Sequence, residues 1–278
     1  MRRTIPYIKE SLKTYYPENE ISGFIRIIIE HISHKPYPQA YIDHLIFSCE
    51  TNVQIESIIE RLKQYEPIQY IVGETEFFGL PFSVNSDTLI PRPETEELVE
   101  LIINENNKSG LKILDIGTGS GAIAIALAKH LNRADVFAWD FSQGALDMAK
   151  HNAERNNVQV EFNKVDVLDD YPKDIKYDII VSNPPYVLES EKNVMEQNVL
   201  AYEPHSALFV PDADALLFYN RIADIALDAL RPGGKLYFEI NQVKGDETME
   251  ALRKKGFKEV VLFKDLSKND RMVRGVLF

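Results

Sequence analysis

The fold class this sequence predicts is α/β: a doubly wound, mainly parallel sheet covered by helices on both faces. Three observations lead there. From residue 112 onward, short apolar runs of strand type alternate with stretches of helical spacing. The first of those runs leads straight into Gly117-Thr118-Gly119-Ser120-Gly121. A later one leads straight into Asn183-Pro184-Pro185-Tyr186, so both turns fall where strands of an open sheet end and ligands are met.

Taken in order, residues 5–15, 21–32, 39–48 and 53–65 carry apolar residues at helical spacing, broken at Pro17, Pro36, Pro38 and Asn52. They predict a small helical bundle. His31, His34 and His44 lie in it, without carboxylate or cysteine partners at ligand spacing, so no metal is expected. Glu66-Pro67 closes this region. Residues 68–72 and 76–84, punctuated by Gly73 and Gly79-Leu80-Pro81, read as a β-hairpin joining two domains. The proline-stiffened Leu89-Ile90-Pro91-Arg92-Pro93 leads into a helix over 95–104, whose early Glu94, Glu96 and Glu97 suit the helix dipole. Arg92, fixed between two prolines, reads either as one wall of a cleft or as a plain loop charge.

The alternation then gives strands at 112–116, 135–140, 159–165, 177–181 and 235–240 and helices at 122–131, 142–156, 214–230 and 244–254. Residues 259–264 and 271–277 read as a terminal antiparallel pair. The domains expected are 1–66, a helical bundle for partner recognition; 67–86, the hairpin linker; and 87–278, the catalytic sheet domain.

Composition narrows the function classes. Lys plus Arg number 31 against 43 Asp plus Glu, a formal charge of −12, which repels phosphate backbones and argues against non-specific nucleic-acid binding. The basic cluster Arg253, Lys254, Lys255 and Lys258 reads as a solvated helix end. Cys49, the single cysteine, excludes an internal disulfide and a cysteine-cluster metal site, and fits a reducing cytoplasm. Its neighbours Leu45, Ile46 and Phe47 suggest a core position. No apolar run reaches the roughly 18 residues of a membrane span, and the start lacks a signal-peptide core.

The two turns carry the chemistry. Glycines at 117, 119 and 121 allow a sharp turn and close approach of backbone to ligand, and the helix that follows offers unpaired N–H groups. The spacing departs from the Gly-x-Gly-x-x-Gly dinucleotide pattern, which argues against NAD. Asp140 ends the next strand, where a carboxylate can accept two ribose hydroxyls or cap the helix near Ser142. Asp166 ends the strand after that and can read an adenine amino group or start a turn; Asp115 supplies charge or hydrogen bonding beside the ligand. In the second turn Pro184 and Pro185 fix φ and remove two donors, and Asn183 is pushed extended. The Asn183 side-chain oxygen and the Pro184 carbonyl can each take one hydrogen of a planar –NH₂ group while Tyr186 covers its flat face. A lone pair held so can be aimed at an electrophile beside the glycines. No general base is evident, and His130, His151 and His205 carry no assigned role.

At these residues a family resemblance emerges. Asp115 to Gly121 resembles the first motif of class I S-adenosylmethionine-dependent methyltransferases, and Asn183 to Tyr186 their amino-methylating motif. Glu66-Pro67-Ile68-Gln69-Tyr70-Ile71-Val72-Gly73, Leu89 to Glu96, Tyr202-Glu203-Pro204 and Asn269-Asp270-Arg271 are together similar to the PrmC/HemK family. The likeness runs from the hairpin to the end of the chain, the helical region matching in size and type more than in residues. It implies a seven-stranded class I sheet and methylation of the side-chain amide nitrogen (N5) of the glutamine in the Gly-Gly-Gln loop of class 1 peptide-chain release factors. It also implies S-adenosyl-L-methionine as cofactor, held by Asp115, Gly117, Thr118, Gly119, Ser120, Gly121, Asp140, Asp166, Val167 and Asn183. Asn183, Pro184 and Tyr186 are then the catalytic residues, and with Pro185 and Arg92 they bind the glutamine. Val167 stands where some members have an aromatic residue, and Lys268 where glycine is frequent. The same Asn-Pro-Pro-Tyr holder also suits the exocyclic amine of a nucleobase, which keeps a DNA or RNA N-methyltransferase as the alternative. A third reading is a binding protein that uses the donor only structurally.

Overall fold

The computed structural model describes residues 4–42 and 49–278. The chain divides into two compact units, Met1–Gly73 with Glu196–Tyr202, and Glu74–Met195 with Glu203–Phe278.

The first unit is helical: α1 (Thr4–Leu12), α2 (Glu18–Ser33), α3 (Tyr37–Ile42), α4 (Cys49–Leu62) and α5 (Ile68–Val72). Ile21, Ile25, Ile28 and Ile29 make one apolar stripe on α2 and are buried with Ile8, Leu12, Ile55, Ile59 and Leu62. Outside that core, Arg61 grips Glu66 through Nε to Oε2 at 2.7 Å and Nη2 to Oε1 at 2.5 Å. The helix expected over 39–48 leaves the described residues after Ile42; His44, Leu45, Ile46, Phe47 and the side chain of Cys49 lie outside them.

Residues 68–72 correct the sequence reading: they form a helix, not the first strand of the hairpin. Ile68, Ile71 and Val72 recur at helical spacing, and Ile68 is buried in the helical core. Pro67 stands extended before the turn, and Gly73 ends it at φ 77°, its N–H donating to the Gln69 carbonyl at 2.8 Å. Burial of one face outweighs the strand preference of the β-branched residues.

The second unit opens with the hairpin β1 (Glu74–Phe77) and β2 (Leu80–Ser83), antiparallel with Phe77 opposite Leu80. Its two-residue turn puts Phe78 at φ 52° and Gly79 at φ 71°, the left-handed pair that a tight hairpin needs. α6 (Pro93–Glu105) starts with proline at its first position and Glu94 and Glu96 in its first turn. There follow β3 (Lys112–Ile116), α7 (Ala122–His130), β4 (Asp135–Asp140), α8 (Gln143–Arg155), β5 (Glu161–Lys164), β6 (Tyr177–Ser182) and the two-residue β7 (Val187–Leu188). The chain passes through α9 (Gln197–Tyr202), which belongs to the helical unit, where the Tyr202 hydroxyl donates to the Gln64 carbonyl at 2.9 Å. It then forms β8 (Phe209–Val210), α10 (Leu217–Ala229), β9 (Leu230–Glu239), α11 (Gly245–Lys255), β10 (Lys258–Lys264) and β11 (Asp270–Val276).

The main sheet has seven strands in the order β10-β11-β9-β6-β3-β4-β5, parallel except that β11 runs against both neighbours. Alternate residues serve opposite faces: Ile113 packs with Leu98, Val99 and Ile123, and Leu114 with Ile180, Tyr219 and Ile222. Where boundaries differ from expectation the cause is local. β9 begins at Leu230 rather than 235, and α10 begins at Leu217 because 212–214 form a separate short turn. The order of strands places a topological switch at β3: the chain winds outward through β4 and β5, then returns to β6 on the other side. Ligands of such sheets bind beyond the carboxyl ends at that point.

Candidate active site

Both predicted turns start from paired residues. Ile116 lies opposite Ser182 in the β3–β6 ladder, and the buried Ser182 hydroxyl donates to the Ile116 carbonyl at 2.7 Å. The glycine turn therefore begins beside the Asn-Pro-Pro-Tyr turn. The Gly117 and Thr118 N–H groups both donate to the Trp139 carbonyl, at 2.8 and 3.0 Å, which folds the loop across the tip of β4. Gly121 sits at φ 82°, and a Cβ there would lie 2.9 Å from Ile125 Cδ1 and 3.1 Å from Ala149 Cβ, so only glycine fits the junction of loop, α7 and α8.

Two buried carboxylates hold the loop. Asp140 accepts from the Gly119 N–H through Oδ2 at 2.8 Å and from the Ser142 N–H through Oδ1 at 2.9 Å. The cap of α8 is Ser142, whose hydroxyl accepts from the Ala145 N–H at 3.3 Å, so Asp140 braces the chain before the helix and also lines the cavity. Asp115 is fully buried and accepts the Thr118 hydroxyl at 2.6 Å through Oδ2, while among the described residues Oδ1 makes no hydrogen bond of full geometry. Burial pushes its carboxyl up to about 7, against the pull of the Thr118 bond. Burial also raises Asp140, against its backbone donors.

The cavity beyond these strand tips encloses about 1070 Å³, its open mouth included. Gly117, Thr118, Gly119, Ser120, Asp140, Asp166 and Val167 line one side of it, joined by Phe141 and Val165. Asn183, Pro184, Pro185, Arg92 and Thr95 line the other. Asp166 Oδ1 accepts from the Leu168 N–H at 2.9 Å, so it makes a turn and lines the cavity together. Arg92 is a wall held in place: its Nη2 meets Oε1 of buried Glu203 at 2.5 Å, and Glu203 Oε2 accepts from the Ile90 N–H at 3.3 Å.

Tyr186 differs from expectation. It does not line the cavity as a cover for a planar group; it packs against the core, and its hydroxyl donates to Glu239 Oε1 at 3.4 Å. The two prolines carry the chain past the cavity before Tyr186 is reached, and burial beside Glu239 raises its phenol well above the ordinary value. Gly121 and Asp115 also stay behind the lining, in the support of the loop.

Thr95 and Glu239 complete the geometry. The Thr95 hydroxyl donates to Glu239 Oε2 at 2.6 Å and accepts from Asn183 Nδ2 at 3.3 Å. Glu239, at the end of β9, is fully buried; burial raises its carboxyl, while the Thr95 bond, the Arg271 charge and the Tyr186 hydroxyl pull it down. Among the described residues nothing donates to Asn183 Oδ1 or to the Pro184 carbonyl.

Residues 94–206 match the methyltransferase small domain family. The chain is 50% identical over 275 residues to the release factor glutamine methyltransferase of Flavobacterium psychrophilum, covering 95% of each. The chain belongs to the release factor glutamine methyltransferase family. The family member from Bacteroides thetaiotaomicron is 46% identical over 276 residues, covering 98% of this chain and 99% of the relative. A Pyrococcus furiosus methyltransferase structure shares the fold at TM-score 0.53 and 20% identity, over 72% of this chain and 89% of that one. So does the T. thermophilus 16S rRNA N2 G1207 methyltransferase in complex with AdoMet and guanosine, at TM-score 0.54 and 18% identity, over 74% and 50%.

Of the remaining motif residues, Leu89, Pro91 and Pro204 also line the cavity, and two others make ion pairs. Glu66 pairs with Arg61, and Arg271 Nε meets Asp265 Oδ2 at 3.1 Å. Lys268, at the position where glycine is frequent, has φ 72° in the turn before β11. Thr95, Glu203 and Glu239 carry no role in the sequence reading. Glu239 had a signal, a carboxylate inside the apolar run 235–240; its partners come from segments more than 50 residues away.

Proposed function

We propose that this family member transfers a methyl group from S-adenosyl-L-methionine to the side-chain amide nitrogen, N5, of the glutamine in the Gly-Gly-Gln loop of class 1 release factors. One observation carries the reading: at the cavity, Asn183 Oδ1 and the Pro184 carbonyl stand side by side in sequence without donors, on a turn stapled to the glycine loop. A primary amide brings two hydrogens to those two acceptors.

The donor fits the residues present. Gly117 and Gly119 let the backbone approach without side chains, the Asp140 carboxylate lines the cavity, and Val165, Val167 and Phe141 offer an apolar wall to a flat ring. When bound, S-adenosylmethionine supplies a methyl already activated by the sulfonium. The protein's own task is alignment. Asn183 and Pro184 hold the plane of the glutamine amide and turn the nitrogen toward the glycine side, and holding a poor nucleophile in line is the principal way to speed such a transfer. Arg92, clamped by Glu203, walls the same side. Tyr186 serves from behind, through Glu239, and not as a cover. The unit Met1–Gly73 with Glu196–Tyr202 is assigned the recognition of the release factor away from its reactive loop. No helix among the described residues is long and apolar enough to cross a membrane.

Mass spectrometry of a purified release factor after incubation with enzyme and donor tests the reading. One added methyl on the Gly-Gly-Gln glutamine is expected, and none on duplex DNA or ribosomal RNA offered in parallel. Methyl transfer to nucleic acid alone refutes it. Binding of the donor with transfer to none of the three favours a purely structural use of it.

A further inference from the structure

The group that receives the substrate amide is itself an amide, and an amide has two ends. Asn183 would do its task only with Oδ1 toward the cavity; turned over, it would present two more hydrogens to a group that already offers two. Nothing about the prolines decides this. Thr95 does. Its hydroxyl carries one proton, and Glu239 Oε2, 2.6 Å away, takes it. What remains on Thr95 Oγ1 are lone pairs, which can only accept, and the contact at 3.3 Å is therefore an Asn183 N–H donating. As a carboxylate, beside the Arg271 charge, Glu239 has no proton to give, and its other oxygen accepts the Tyr186 hydroxyl at 3.4 Å. Glu239 is itself buried.

We propose that Thr95 and Glu239 are positioning residues for the methyl transfer, a two-step relay that sets which end of the Asn183 amide faces the substrate. This builds on Asn183 as the group that receives the glutamine amide. It also gives Tyr186 a place in the site without any contact with substrate, since its phenol helps hold the carboxylate that orients Thr95. Neither Thr95 nor Glu239 touches the reacting atoms.

The test compares Thr95→Val, Thr95→Ser and Glu239→Leu in the full chain, by single-turnover transfer to a purified class 1 release factor and by equilibrium binding of S-adenosylmethionine. Thr95→Val keeps the volume and removes the hydroxyl; its transfer rate is expected to fall about 10- to 100-fold, with donor affinity and KM for the release factor within a few-fold of wild type. Thr95→Ser restores the hydroxyl and is expected to restore the rate. In Glu239→Leu the Thr95 hydroxyl loses its acceptor and can donate to Asn183 Oδ1 instead, turning the amide over, so its rate falls as well. A Thr95→Val or Glu239→Leu enzyme at the wild-type rate overturns the relay. So does a Thr95→Ser enzyme as slow as Thr95→Val, or a loss expressed wholly as weaker donor binding. A second measurement needs no substrate: hydrogen exchange of the Asn183 side-chain amide by NMR, the peak pair assigned by its loss in Asn183→Asp. One proton is expected to be protected in wild type and Thr95→Ser and to exchange about tenfold faster in Thr95→Val. Equal exchange overturns the relay even if wild type methylates no glutamine, an outcome that would by itself refute only the substrate assignment.

Discussion

Asp115 makes the stability of the sheet unit depend on pH in a direction opposite to that of most carboxylates. Its carboxyl is pushed up to about 7 in the fold, from an ordinary value of 3.8, because it is wholly buried, an effect that the Thr118 and Ala124 donors only partly offset and the Asp140 charge adds to. The native state therefore binds the proton more tightly than the unfolded chain does. Below pH 4 both states are protonated and Asp115 contributes no difference. As pH rises from 4 through 7 the unfolded chain releases its proton first, so stability falls; above 7 the loss is complete. About three pH units at 1.36 kcal/mol each give a loss of about 4 kcal/mol. Replacement by Asn keeps the shape and an acceptor for Thr118 but cannot ionise. Urea unfolding of the donor-free enzyme between pH 4 and 8, followed by the fluorescence of Trp139, the only tryptophan and a buried one in that unit, measures the effect. The stability of Asp115→Asn relative to wild type is expected to grow by about 2–4 kcal/mol across that range, the lower bound allowing for relaxation around the charge. Parallel pH curves for the two proteins would refute the reasoning.

Three further outcomes are expected. Asn183→Ala keeps donor affinity and loses most transfer; an unchanged single-turnover rate would remove Asn183 from the site. Asn152 is fully buried and ties β2 to the glycine loop, accepting the Ser83 N–H at 2.7 Å and donating to the Ser83 and Ser120 carbonyls at 3.0 Å each. Asn152→Ala is expected to cost about 2–4 kcal/mol by stranding those groups, read as a lower urea midpoint. Lys268→Gly relieves a left-handed backbone in an exposed turn and is expected to stabilise by about 0.5–1 kcal/mol, the strain relieved less the greater chain entropy of glycine. A destabilised variant would show that the Lys268 side chain makes up the difference.

The sheet and its turns were legible because each rests on local rules. Strand periodicity, glycine at 117, 119 and 121 and the doubled proline all act within a few residues. The helix at 68–72 was misread because five residues rich in Ile and Val suit either structure, and only the burial of Ile68 among distant helices decides. Within the site, the residues that line the cavity by backbone geometry follow from the sequence, whereas Tyr186 packs behind the cavity wall and not over the cavity as its position in the motif suggests. Thr95, Glu203 and Glu239 stayed hidden for a related reason. Each acts through a partner more than 80 residues away, and no spacing within one segment encodes such a pairing.

The staple from Ser182 to Ile116 turns the sheet into a ruler. Neighbouring strands keep a separation of about 4.8 Å whatever their loops do. On the function proposed above, a donor cradled after one strand and an acceptor gripped after the next inherit that gauge. Loop lengths and outer helices are then at liberty to drift among relatives, whereas a one-residue slip of β6 against β3 would throw the reactants out of range with every contact residue still present.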